Sequence, residues 1–158
     1  MNRVRPALLG LLAFASLALG KPPFLFAQAV REAQGEVVYV GGYLRDRALA
    51  QAMLQALNRG VTVHLYTSSY TYLDDLSYYL GLYLAGARLY LGLVPRYYLF
   101  VDGEPVAWGA RWDDLAELPP QEVSRAKADL DKVRRTALPF NFSPETIVRG
   151  LTGGQRRR

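Results

Sequence analysis

The segment from Pro95 to Trp112 gathers the side chains with the most chemical reach in this chain: Arg96, Tyr97, Tyr98, Asp102, Arg111 and Trp112. A guanidinium matches a phosphate bidentately, and a phenol donates a hydrogen bond. An arginine beside a tryptophan can hold a base or a lipid headgroup by charge and stacking. Arg96, Tyr97, Tyr98, Arg111 and Trp112 thus suit recognition of a phosphate-containing ligand, nucleic acid or lipid headgroup. A nucleophile is harder to find. An imidazole can attack phosphorus and leave near neutral pH, but the single histidine, His64, lies inside the apolar run Val61–Tyr66. A lone histidine in such a run is more often structural. There is no cysteine, which excludes thiol catalysis and thiolate metal sites. Asp74-Asp75 is too isolated to argue a metal site, and no cofactor is implied.

The elements around this segment alternate. Phe24 to Ala33 carries a helical stripe at Phe26, Ala29, Val30 and Ala33. Glu36–Val40 is a short apolar run of the kind covered on both faces of a sheet, and Gly41-Gly42 ends it. Leu44 to Leu57 reads as a helix stopped by Asn58 and Gly60. Val61–Tyr66 is a second strand, Asp74 to Ala85 a second crossover helix stopped by Gly86, and Leu89 to Leu93 a third strand. Two strands around Asp102-Gly103 then form a hairpin. The alternation predicts an α/β fold, with a parallel sheet joined by right-handed crossovers and the hairpin adding antiparallel strands. Beyond Trp112, a polar connection leads to a charged helix over Gln121–Ala137. An apolar clip follows at Pro139–Pro144, then a last short helix capped by Ser143 with Pro144 at its first position.

The order "ALNRGVTVHLY", "LAGARLYLGLV", "YYLFVDGEPVAWGA" resembles one half of a phospholipase D-like domain, over roughly Phe24 to Trp112. The resemblance implies a mixed sheet flanked by helices, with the rest of the chain as a C-terminal helical extension. In that family a histidine, one spacer, a lysine, four spacers and an aspartate precede the glycine of the turn. Gly-Ser follows seven residues after the aspartate. Asp102, Gly103 and Gly109 match, whereas Pro95 stands at the histidine position, Tyr97 at the lysine and Ala110 at the serine. The scaffold signature is kept and the catalytic signature is lost. The resemblance therefore implies no catalytic residue and a binding or interaction module, with Arg96, Tyr98, Arg111 and Trp112 as ligand-binding candidates. The alternative is a phosphodiesterase of nuclease or phospholipase type using substitute residues. In the family the aspartate supports the motif histidine, yet Asp-Gly is also the preferred two-residue hairpin turn. Tyr97 either binds ligand or fills the space of the lysine. Active single-half members of the family build their site across a dimer, so the expected partner is a second copy or another exported protein.

Residues 1–20 read as a signal peptide, with Arg3 and Arg5 before the apolar run Ala7–Leu19 and cleavage after Ala18-Leu19-Gly20. An uncleaved anchor is the other reading, and both place the remainder outside the cytoplasm. The resemblance implies a phospholipase D-like domain over residues 21–112, with 113–158 as the helical extension and the basic tail Arg156–Arg158. The formal charge is +5, and its arginine-rich make-up suits phosphate recognition or reflects genome composition. Tyr66, Tyr70, Tyr72, Tyr78, Tyr79 and Tyr83 cluster over one loop and helix, as an interface or as a buried face.

Overall fold

The computed structural model describes residues 23–68, 71, 74, 76–143 and 145. The leader 1–20, Tyr70, Tyr72, Asp75, the last helix beyond Glu145 and the Arg156–Arg158 tail lie outside the described residues. In chain order the elements are α1 (Pro23–Glu32), β1 (Glu36–Val40), α2 (Arg47–Asn58), β2 (Thr62–Thr67), α3 (Tyr79–Leu84), β3 (Arg88–Leu91), β4 (Tyr97–Val101), β5 (Glu104–Gly109), β6 (Ala116–Glu117), α4 (Val123–Thr136) and β7 (Leu138–Pro139). The strands form one seven-stranded sheet in the order β6-β5-β4-β1-β2-β3-β7. β1, β2 and β3 are parallel, joined by α2 and α3 as crossovers. β4 lies antiparallel against β1, and the hairpin continues outward through β5. This is the mixed α/β sheet expected from the sequence.

Alternation along each strand sends successive side chains to opposite faces. Val37, Tyr39, Val63, Leu65, Leu89 and Leu99 join the core made with α1, α2 and α3. Val38, Val40, Tyr66, Tyr98 and Phe100 join a second core with Leu118 and with Ala126, Leu130 and Val133 of α4. Residues 113–143, read from the sequence as a helical extension, are thus built into the domain. They cover one face of the sheet with α4 and supply both outermost strands, β6 against β5 and β7 against β3.

Two helix starts differ from the sequence reading. α2 begins at Arg47 because the Asp46 carboxylate caps it, accepting from Leu49 N at 3.0 Å. Leu44, expected inside the helix, is buried in the preceding turn, where its N–H donates to Ser77 Oγ and its carbonyl accepts from Tyr78 N. Those bonds also hold 77–78 out of helix, and Asp74 is drawn to Arg45 at 2.8 Å. α3 therefore starts at Tyr79, five residues later than the apolar pattern suggests.

Candidate functional site

In an α/β sheet the ligand crevice forms at the carboxyl ends of the parallel strands. Here that end holds Gly41, Gly42 and Tyr43 after β1, Thr67 and Ser68 at the end of β2, and Tyr97 at the start of β4. Because β4 is antiparallel to β1, the register Val40↔Tyr98 brings Tyr97 beside the Gly41 turn. The ring of Tyr97 lies so close to Gly41 that a Cβ there would sit 2.4 Å from Tyr97 Cδ1. Only glycine leaves that space.

Three tyrosines from three elements fasten this turn. Tyr79 Oη donates to the Gly41 carbonyl at 2.5 Å, and Tyr39 Oη donates to the Tyr43 carbonyl at 2.9 Å. The Tyr43 N–H donates to Tyr97 Oη at 3.0 Å. Thr67 Oγ1 donates to the Gly42 carbonyl at 3.0 Å and shares a hydrogen bond with Thr71 Oγ1, which also meets Ser68 Oγ at 2.7 Å. The ring of Tyr39 contacts those of Tyr79 and Tyr97, with centroids 6.3 and 6.4 Å apart. Burial, first of all, raises the pKa of each of these tyrosines, and their mutual proximity adds to it at Tyr39. A phenol with a raised pKa stays protonated at neutral pH, so it is a hydrogen-bonding post and a poor nucleophile. This knot of hydroxyls was not foreseen. Its only sequence signals were the Gly41-Gly42 pair and tyrosines placed where they face one side of the sheet.

The residues singled out in the sequence do not converge. Tyr97 and Tyr98 are adjacent on a strand and point to opposite faces. Tyr98, expected to bind ligand, is instead buried in the second core, where its hydroxyl donates to Asp129 Oδ2 at 2.6 Å. Its pKa is pushed up to about 12 by burial and then by that carboxylate. Arg96 lies over the Trp108 ring at 5.1 Å, on the same side as Tyr98. Arg111 is exposed and forks onto Asp113. Trp112 faces the other side, lining a cleft of about 200 Å³ with Phe26, Asp46, Leu49 and Leu115. Pro95 is exposed and offers no side-chain chemistry. His64 shares the second face with Tyr66 and Tyr90, stacked on Tyr90 at 5.9 Å, so the sheet separates it from Tyr97.

Asp102 and Gly109, the retained motif positions, have structural duties. Asp102 adopts φ 50° and Gly103 φ 85°, the left-handed pair that a type I′ turn requires. The Asp102 carboxylate also accepts backbone N–H bonds from Gln34, Gly35 and Glu36, at 2.7 Å from Gly35. Five residues along a strand put it about 16 Å from Tyr97, at the opposite end of β4. Gly109 leaves room for Asp114, whose Oδ1 would lie 2.4 Å from an added Cβ and which accepts from Arg111 N. Among the described tyrosines of this cluster, Tyr66 and Tyr79 are buried, Tyr83 packs partly against the core and bonds the Phe142 carbonyl, and Tyr78 is exposed.

Two solved structures share this arrangement of strands and helices. NucT from Helicobacter pylori aligns with a TM-score of 0.57 and 17% identity, over 73% of this chain and 89% of that one. Nuc from Salmonella typhimurium, described as a phospholipase D family member, aligns with a TM-score of 0.53 and 13% identity, over 75% and 90%. The fold is phospholipase D-like. No protein-family model matches the sequence, and no curated protein does. Within this phospholipase D-like fold, the described residues bring no three histidine, aspartate or glutamate side chains together in a way that would hold a metal. None of its described helices is long and apolar enough to cross a membrane.

Proposed function

We propose that this chain is a catalytically silent phospholipase D-like domain that works outside the cytoplasm by binding another protein. One observation carries the reading. The side chain at the lysine position of the family motif, Tyr97, is spent on structure, with its ring against Gly41 and its hydroxyl taken by the Tyr43 N–H. Pro95 brings no nucleophile beside it, and His64 lies across the sheet. The two arginines that suited a phosphate are also engaged, Arg96 by Trp108 and Arg111 by Asp113. A phosphate would have to displace those partners, which favours a protein over a phosphate-containing ligand. Export rests on the leader-like segment ending at Gly20, and the partner is a second copy or another exported protein.

Purified protein should show no turnover of bis-nitrophenyl phosphate, DNA or phosphatidylcholine above a blank. Turnover that disappears in Tyr97→Phe or His64→Gln would favour a phosphodiesterase with substitute residues and sink the proposal. Intact mass from the native host should begin at Lys21. A full-length chain in the cytosol would defeat the export component.

A further inference from the structure

On the face of the sheet opposite Tyr97, the last turn of α4 is fastened to the strands through one carboxylate. Arg134 Nη2 lies 3.4 Å from Glu36 Oε2, and its guanidinium also interacts with the Tyr66 hydroxyl. His64 Nε2 lies 3.8 Å from the same carboxylate oxygen. The imidazole is wedged in place. The register sets it beside Val38 of β1 and Arg88 of β3, and the Tyr90 ring stacks on it. Its Nδ1 is buried with no hydrogen-bond partner among the described residues. The titratable and charged groups facing it are Glu36 from β1, Tyr66 on its own strand, Arg88 and Tyr90 from β3, and Arg134 from α4.

A neutral imidazole suits this place, with Nε2–H toward Glu36 and a bare lone pair at Nδ1. A second proton would create a buried N–H without an acceptor, and a cation flanked by Arg88 and Arg134. Glu36 is the carboxylate within its reach, and drawing Glu36 closer takes it from Arg134. The stretch that Arg134 opens is weakly held. It runs from 134 to 139, between the buried anchors Val133 and Phe140. Its strand, β7, pairs with β3 through Leu138 and Pro139, and proline brings no N–H to that ladder. We infer that His64 is an acid-operated latch: its protonation moves Glu36 from Arg134 to the imidazole and frees residues 134–139, uncovering the β3 edge while the rest of the sheet stays folded.

The test is hydrogen exchange of the full chain at about pH 8 and about pH 5, the range in which an imidazole titrates, with rates corrected for the intrinsic effect of pH. In the wild type, amides over 134–140 should lose about tenfold of their protection on acidification, the scale of one displaced proton equilibrium. Amides inside α2 should remain the more protected set at both values. His64→Gln and His64→Phe should each abolish the acid response, so that one variant suffices if the other fails to fold. Arg134→Gln, at a surface position, should exchange over 134–140 at about pH 8 as the wild type does at about pH 5. A wild type without the acid response, or a response that survives at position 64 in either folded variant, would overturn the latch. So would a common exchange rate for 134–140 and α2 in acid, because the segment would then open only with the whole fold.

Discussion

Gly41 and Tyr97 are fitted to one another: the ring at 97 occupies the space that a side chain at 41 would need. A methyl group at 41 would lie 2.4 Å from Tyr97 Cδ1 and 3.2 Å from Tyr39 Cε1. Gly41→Ala should therefore cost about 1–3 kcal/mol through overpacking. The same substitution in a Tyr97→Ala background should cost clearly less, because the clashing ring is gone. Urea unfolding of the four proteins gives the coupling. Additive effects would mean that the two positions do not meet.

Asp102 acts as a clamp between the hairpin and the start of β1. Its backbone N–H donors, that of Gln34 first, hold the carboxyl below its ordinary 3.8. A group whose folded pKa is depressed stabilises above its unfolded pKa and loses that contribution as pH falls through the folded value. The wild type should accordingly weaken as pH drops below about 4. Asp102→Asn, which tolerates the left-handed backbone, should lose part of that acid dependence. Asp102→Ala should cost about 1 kcal/mol at neutral pH, the scale of a helix-capping carboxylate. An unchanged acid limb in the Asn variant would contradict the clamp.

His64 should respond in the same direction for a different reason. Burial, ahead of all else, lowers its pKa from 6.5, and Arg88 and Arg134 act with burial while Glu36, 3.8 Å away, opposes it. Its Nδ1 is buried without a hydrogen-bond partner, and Tyr90 stacks on the ring, itself stacked on Tyr66. The unfolded chain binds the proton more readily, so stability should fall as pH drops below about 6.5. His64→Phe should flatten that slope between neutrality and pH 5. A slope that survives the substitution would assign it to other groups.

Tyr98 and Asp129 join β4 to α4. Tyr98→Phe should cost about 1.5 kcal/mol, the scale of a hydrogen bond to a charged group. Because the folded pKa of Tyr98 is raised to about 12, its contribution holds below the ordinary tyrosine pKa and is lost as pH climbs from about 10. Alkaline unfolding followed by circular dichroism should be less steep in the Phe variant. Equal alkaline limbs would show that the pair does not couple to folding.

The parts of this fold that depend on local rules were legible in the chain. Asp102-Gly103 announces a type I′ turn, and β1 and β2 announce themselves as short apolar runs before Gly41-Gly42 and Thr67-Ser68. What escaped depends on distant partners. The start of α3 is set by Ser77 and Tyr78 bonding to Leu44, and by Asp74 reaching Arg45, which no periodicity contains. The Gly41–Tyr43 turn is held by Tyr39, Tyr79 and Tyr97, whose meeting is a property of the sheet order. One signal was present and unused: neighbours on a strand face opposite ways, so Tyr97 and Tyr98 were never able to line one site.

The two outermost strands, β6 and β7, are each only two residues long, and both come from the last third of the chain. Until that third is available, β3 and β5 present open rows of peptide groups, and the face of Val38, Tyr66 and Phe100 lies bare. Open edges beside a bare apolar face are a template for intermolecular strand addition. A fragment ending near Trp112 should thus be an aggregating species rather than a smaller folded domain. The full chain, by contrast, carries its own protection against aggregation in four residues of edge strand and one helix.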